Sequence, residues 1–287
     1  MEAQILDGRL VSQSVLSQVE KDVVGLRSNG VVPKLIIILV GDNAGSISYI
    51  RQKIKAAKQV GIESEEHVLP EKTTTEQVIS LINQLNKDVT VHGILVQLPL
   101  PRHIEVALVI RAIDPQKDVD GFHAYNIGKI LISKDYEHLL PCTPQGIIAM
   151  LEFYKISLAG KHVVVVGRSN IVGKPLSILL LNRDATVTIC HSKTPDVGHF
   201  TRQADIIVAA VGKPHTITAD MVKDGAIVVD VGTNRVDGKM VGDVDFDEIS
   251  KKAAWISPVP GGVGPMTVAC LMKNVVAAAT KLSSVAS

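Results

Sequence analysis

Two series of short, continuously apolar runs, each followed by helical periodicity, constrain this chain more than any other feature. Lys34–Val40 reads KLIIILV and Lys161–Val166 reads KHVVVV. Apolar runs of this length without alternation belong to strands buried on both faces, as in parallel sheets covered by helices. In the first series, residues 9–29 form an amphipathic helix closed by Asn29-Gly30, and Lys34–Val40 is a strand. SYIRQKIKAAKQVGI then carries a helix to Gly61, Glu65–Leu69 is a second strand, and Thr74–Leu85 is a helix with N-cap hydroxyls at Thr73–Thr75. Val91–Gln97 (VHGILVQ) is a third strand, closed by Leu98-Pro99-Leu100-Pro101.

Periodicity fades over residues 114–144, which read as a connection, with a long helix starting near Thr143. The second series places strands at Lys161–Val166, Thr186–Cys190, Ile206–Ala210 and Ala226–Val231, a helix at Gly173–Leu181, and a last helix from about Thr267 to Leu282. The expected fold class is therefore α/β, with two lobes built from βαβ units around parallel sheets.

An apolar share of 46% over 287 residues is enough for a sizeable core. A formal net charge of +1 gives no electrostatic reason for a nucleic-acid or anionic-membrane partner. MEAQILDGRL has neither the basic start nor the apolar run of a signal peptide, so a cytoplasmic protein is expected. Cys142, Cys190 and Cys270 are far apart, with no C-x-x-C, and read as buried reduced thiols. The nine histidines show no metal-ligand spacing, and no metal is expected.

Two local features carry chemistry. KHVVVVGRSNIVGKPLSILL runs strand, glycine turn, helix, with Pro175 in the first turn, where its missing N–H costs nothing. Such a turn offers backbone N–H groups to a phosphate, although Gly167 and Gly173 lack the middle glycine of the G-x-G-x-x-G fingerprint. A tight turn in an α/β domain is the plain alternative. The following strand ends in His191-Ser192-Lys193, without the acid that binds a ribose 2′-OH, and Arg168 follows the first glycine. A cation and a hydroxyl there suit a 2′-phosphate, hence NADP over NAD.

The second feature is Tyr49 and Lys53, which share a helix face at i, i+4. Alone, the pair reads as an ordinary edge of an amphipathic helix. A Tyr-x-x-x-Lys pair also serves short-chain dehydrogenases, but there it follows the glycine turn. Here it precedes Gly167 by more than a hundred residues and lies in the other series.

Six motifs then occur in order: Tyr49-x-x-x-Lys53, Gly93-Ile-Leu-Val-Gln97-Leu-Pro-Leu-Pro101, Lys117-Asp-Val-Asp-Gly121, Pro141-Cys-Thr-Pro144, Gly167-Arg-Ser-Asn-Ile-Val-Gly-Lys-Pro175 and Pro258-Val-Pro-Gly-Gly-Val-Gly-Pro-Met-Thr267. The chain thereby resembles the bifunctional methylenetetrahydrofolate dehydrogenase/methenyltetrahydrofolate cyclohydrolase family over nearly its whole length. The resemblance implies NADP-dependent oxidation of 5,10-methylenetetrahydrofolate, hydrolysis of the methenyl product to 10-formyltetrahydrofolate, and a homodimer. A monofunctional dehydrogenase and a non-catalytic nucleotide-binding module are the rivals.

The resemblance also implies roles. Lys53 is the general acid/base, which requires a lowered pKa beside a cationic intermediate. Gln97 orients Lys53, Tyr49 stacks on the folate, and Asp120 pairs with the pterin ring, Asp118 being a nearby decoy that caps its own turn. Val96, Gln97 and Leu98 face Pro260, Gly261, Gly262, Val263 and Gly264 across the folate site. Gly167, Arg168, Ser169, Ser192 and Thr233 bind NADP, Thr233 standing where many relatives carry isoleucine. The implied domains are a folate lobe of residues 1–120, completed by a C-terminal helix over 268–287, and a Rossmann-like NADP lobe of 140–267, with the active site in the cleft between them.

Overall fold

The computed structural model describes residues 2–286. Its strands, in chain order, are β1 (Gln4–Ile5), β2 (Lys34–Val40), β3 (Glu63–Leu69), β4 (Gly93–Val96), β5 (His162–Val166), β6 (Thr186–Cys190), β7 (Ile206–Ala209), β8 (Ile227–Asp230), β9 (Asn234–Val236), β10 (Lys239–Val241) and β11 (Trp255–Ile256). Its helices are α1 (Gly8–Ser28), α2 (Ala44–Val60), α3 (Thr75–Lys87), α4 (Val106–Ala112), α5 (Ala124–Ile132), α6 (Cys142–Phe153), α7 (Gly173–Leu181), α8 (Val197–Thr201), α9 (Phe246–Ile249) and α10 (Val263–Ala286).

The chain forms two compact units. One contains Ser14–Lys129, Tyr136–Leu140 and the chain from Val268 onward, around a parallel sheet of order β3-β2-β4. Every residue of β2 from Leu35 to Val40 is buried, as its unbroken apolar run requires. Among the described residues β3 (ESEEHVL) pairs only with β2 and is mostly open to water, so its charges sit at the sheet edge. Asn43 caps α2 by accepting from the Ser46 N–H, and Gly61 ends it in the left-handed conformation at φ 80°. α3 starts with a capping box between Thr74 and Gln77.

The other unit takes the chain up to Gln13, Ile130–Asp135 and Pro141–Thr267. Its six parallel strands run β1-β11-β8-β7-β5-β6. β5 has β6 on one side and β7 on the other, so the direction of winding reverses at β5. The crevice beyond the carboxyl ends of strands at such a point is where α/β sheets bind ligands. β9 and β10 form a separate antiparallel hairpin.

The parallel α/β class is as expected, and the differences have local causes. Residues 2–13 join the six-stranded unit because β1 pairs with β11, Gln4 opposite Trp255 and Ile5 opposite Ile256. A two-residue strand has no sequence signature apart from its partner. The 114–144 connection contains helix α5, a nine-residue helix set between the polar DPQKDVDGFH stretch and LLPCTP. The last helix begins at Val263, ahead of Thr267. Its Val263–Ser284 stretch, with mean hydropathy 1.3, could by length and composition cross a membrane, but 61% of its most apolar window is buried within the fold, as in a core helix. Met1 and Ser287, at the limits of the implied 1–120 and 268–287 segments, lie outside the described residues. All three cysteines are free and buried.

Candidate active site

Lys53 and Gln97, 44 residues apart, meet at the carboxyl edge of the three-stranded sheet: Lys53 Nζ donates to Gln97 Oε1 at 2.9 Å. Gln97 directly follows β4, and its N–H donates to Ile38 O of β2, which fixes its backbone. Its Nε2 donates to Leu98 O at 2.6 Å. A carbonyl only accepts, so that bond fixes which way the amide lies and leaves Oε1 for the lysine. Gln97 is 8% exposed and Lys53 is half-buried, so the bond works in a partly desolvated setting. Tyr49 sits one turn before Lys53 on α2 and is 41% exposed, an aromatic face left open to solvent.

Asp120 lies at the same edge by register. Ile94 of β4 bridges Asp118 in parallel, and two residues further along each segment come Val96 and Asp120. Asp120 is half-exposed. Asp118 is 1% exposed and accepts from His123 N at 2.8 Å, Phe122 N at 3.3 Å and Asn126 Nδ2 at 2.8 Å. Burial raises its carboxyl pKa, against those hydrogen bonds. It caps its own turn, as the decoy reading had it.

The neighbours of Asp118 explain the rest of that motif. Lys117 is buried and donates to Leu85 O, Asn86 O and Asp88 O at 3.0, 2.9 and 2.7 Å, closing the C-terminus of α3. Asn274 of α10 donates to Val119 O at 2.8 Å. A β-carbon at Gly93 would stand 2.7 Å from Val119 Cγ1, so glycine is what lets the segment pass β4. Val96 turns its side chain into the apolar core with Ile36 and Ile38, while Leu98 is half-buried.

In the six-stranded unit, Gly167, Arg168 and Ser169 follow β5, Ser192 follows β6 and Thr233 follows β8, so the parallel register brings all five to one edge. Gly167 N donates to Cys190 O at 2.8 Å, tying the turn to the end of β6. Gly167 has φ +133°, and a β-carbon there would collide with Ala210 O, just as one at Gly173 would collide with Gly167 O. The two glycines are thus needed for packing against backbone. Arg168 and Ser192 are exposed, and His191-Ser192-Lys193, directly after β6, carry no acid. These features fit a dinucleotide with a 2′-phosphate. The N–H groups of Val172 and Gly173, expected to be open to phosphate, donate to Ser169 Oγ at 3.1 and 3.3 Å.

The PGGVG segment has its own surprise. Gly261 and Gly262 are buried: Gly261 lies against the Arg9 guanidinium, a β-carbon at Gly262 would crowd Pro258 O, and one at Gly8 would collide with Gly262 O. Val263 is buried at the head of α10, whereas Pro260 and Gly264 are exposed. The tight approach is thus made by the chain itself.

Family models match both halves: the tetrahydrofolate dehydrogenase/cyclohydrolase catalytic domain over residues 6–120, and the NAD(P)-binding domain of the same name over residues 141–283. The chain belongs to the tetrahydrofolate dehydrogenase/cyclohydrolase family. It is 53% identical to the bifunctional protein FolD of Exiguobacterium sibiricum, over 96% of this chain and 99% of that one. The crystal structure of the bifunctional FolD enzyme from Campylobacter jejuni is 48% identical, with a TM-score of 0.95 over 97% and 99% of the two chains. The Trypanosoma brucei FolD complexed with NADP and an inhibitor is 38% identical, with a TM-score of 0.94 over the whole of both chains.

Sequence reasoning missed Asp230 and Asp243, which gather backbone N–H groups at the carboxyl edge of the six-stranded sheet. Asp230 is 2% exposed, and burial raises its pKa from 3.8 to about 6 despite hydrogen bonds from Asp243, Gly232 and Val244 N–H groups. The signal was present: both Asp residues stand beside glycines, in DVG and GDV.

Proposed function

We propose that Lys53, held by Gln97, is the proton-transfer group of this bifunctional one-carbon enzyme, with Tyr49 and Asp120 binding the folate. The enzyme oxidises 5,10-methylenetetrahydrofolate with NADP and hydrolyses the methenyl product to 10-formyltetrahydrofolate. NADP accepts the hydride that leaves the one-carbon bridge. The bridge carbon is left as a methenyl cation, and water adds to it. Lys53 as the free amine takes one proton from the adding water and as the ammonium returns it to N5 when the C–N5 bond breaks. The adduct's hydroxyl gives its remaining proton to solvent as the formyl C=O forms. In both charge states Lys53 can donate to Gln97 Oε1, so Nζ stays in place through the cycle.

The 2.9 Å bond between Lys53 and Gln97 carries this reading. Asp120 supplies an acceptor for the pterin amino and ring N–H groups, and exposed Tyr49 offers a stacking surface. Leu98 and Pro260 to Gly264 are assigned to the folate side, of which Pro260 and Gly264 have the solvent access a ligand needs. Val96 contributes backbone, since its side chain is in the core. Arg168 and Ser192 are assigned to the 2′-phosphate, with Gly167, Ser169 and Thr233 along the rest of the dinucleotide.

Relatives at 53% and 54% identity that are named bifunctional favour the bifunctional reading over a monofunctional dehydrogenase. A cytoplasmic homodimer supplying formyl groups to purine biosynthesis completes the reading, supported by family resemblance, the near-neutral charge and the free cysteines. The test is Lys53→Ala: methenyltetrahydrofolate absorbance should decay at the uncatalysed rate while NADP still binds. Decay at the parental rate would remove Lys53 from the mechanism.

A further inference from the structure

Three consecutive N–H groups after β7 converge on one carboxylate. Val211 and Gly212 donate to Asp243 Oδ2 at 2.6 and 2.9 Å, and Lys213 donates to Oδ1 at 3.0 Å. Gly212 is left-handed at φ +73°, which curls the run into a concavity. Such a nest binds anions, and at this edge of the sheet it would suit a phosphate. Its anion is instead Asp243, wholly buried and some 30 residues further along the chain.

Asn234 Nδ2 donates to Asp243 Oδ1 at 2.9 Å and to Gly242 O at 3.1 Å. Asp230 extends the network: its Oδ1 accepts from Gly232 N and Asp243 N, both at 2.9 Å, and its Oδ2 from Val244 N at 3.1 Å. Ser257 Oγ accepts from Asp230 N at 2.7 Å. A β-carbon at Gly242 would strike the Asp230 carboxylate, and one at Gly232 that of Asp243. Two carboxylates therefore gather the loops after β7 and β8 and the segment entering α9.

We propose that Asp243 is a positioning residue for the dehydrogenase step alone, holding the loops after β7 and β8 in the shape that receives NADP. This rests on the assignment of NADP to the carboxyl edge of the six-stranded sheet. A carboxylate is needed because all four groups around Asp243 are donors. An asparagine has one acceptor oxygen, and its NH2 would face N–H groups, leaving at least one of them unpaired.

The family's two activities separate positioning from folding, because methenyl hydrolysis consumes no dinucleotide. In full-length Asp243→Asn the KM for NADP should rise about tenfold or more, the scale of losing a charged hydrogen bond. The kcat at saturating NADP should change less than about threefold, and hydrolysis measured without dinucleotide less than about twofold. An NADP KM within about twofold of the parent overturns the proposal, as does an equal fall in both activities. Should Asp243→Asn not fold, Asn234→Ala removes a single donor to Oδ1 at a half-exposed position. It should raise the NADP KM about threefold with hydrolysis retained, and an unchanged KM overturns the proposal. Arg168→Ala separates the underlying assignment: if NADP lies elsewhere, both Arg168→Ala and Asp243→Asn leave its KM unchanged. If only the positioning role is wrong, the Arg168→Ala effect remains.

Discussion

In the three-stranded unit the polar groups at the carboxyl edge include a bond between two side chains, Lys53 on a helix and Gln97 after a strand. In the six-stranded unit the same edge is organised by backbone N–H groups gathered onto Asp243, Asp230 and Ser169. The difference suits the proposed tasks. A proton shuttle needs a side chain that changes charge without changing place, so it stands half-exposed on a rigid element with one fixed partner. A dinucleotide is long and presents many polar groups, so its receiving loops must hold their shape over a wide surface. Buried carboxylates that each satisfy several N–H groups do that, at the expense of desolvating a charge.

The comparison breaks most decisively at Lys53. Lys53→Ala should cost the hydrolytic step about 10²–10⁴-fold, the usual weight of general acid–base catalysis, with NADP affinity unchanged in equilibrium titration. A parallel loss of NADP binding would mean that the division of labour between the units is wrong.

Next in size is the acid–base behaviour of Asp230. Its folded pKa of about 6 exceeds the ordinary 3.8, so the fold prefers the protonated form. Its contribution to stability is then fully present below about pH 4 and is lost as pH rises through about 6, to the extent of about 3 kcal/mol. Asp230→Asn does not titrate, so the unfolding free energy of the parent relative to this variant should fall between pH 4 and pH 8. A rise over that interval in denaturant melts would contradict the burial argument.

Gln97→Ala sharpens the account of the first unit. Losing one hydrogen bond to a charged group should slow hydrolysis about 10–100-fold, less than loss of the lysine itself. An effect equal to that of Lys53→Ala would make Gln97 a direct participant. The smallest change is expected at Arg168. Arg168→Ala should raise the NADP KM about tenfold and leave the NAD KM unchanged, because only NADP carries the 2′-phosphate. Equal effects on the two dinucleotides would remove Arg168 from that contact.

How far the sequence could be read depended on how local each feature is. β2 and β5 were legible because an unbroken apolar run reports its own burial on both faces. The ends of α2 were legible because Asn43 and Gly61 act within a few residues of themselves. β1 and β11 were not, since two-residue strands exist only as partners of each other and of β8. The site divides the same way. The glycines at 167 and 173 could be read as a turn, but their reason, the pressure of Ala210 O and of Gly167 O, lies in the packing. The glycines at 261 and 262 suggested close approach of backbone, and the atoms next to them, the Arg9 side chain and Pro258 O, are brought there by packing. Lys117 looked like one member of a folate motif and proves to close a helix.

The sequence by itself determined the α/β class, the longer buried strands, and six motifs whose succession points to a folate-dependent dehydrogenase and cyclohydrolase. Local chemistry suffices for these, since burial on both faces, helix caps and glycine turns each act within a few residues. The tertiary structure alone decided that Gln97 Oε1 lies 2.9 Å from Lys53 Nζ, and that Asp243 fills the nest at Val211–Lys213. Contacts across 30 to 44 residues depend on strand order and register, and those are set by the packing of whole sheets rather than by any short stretch of chain.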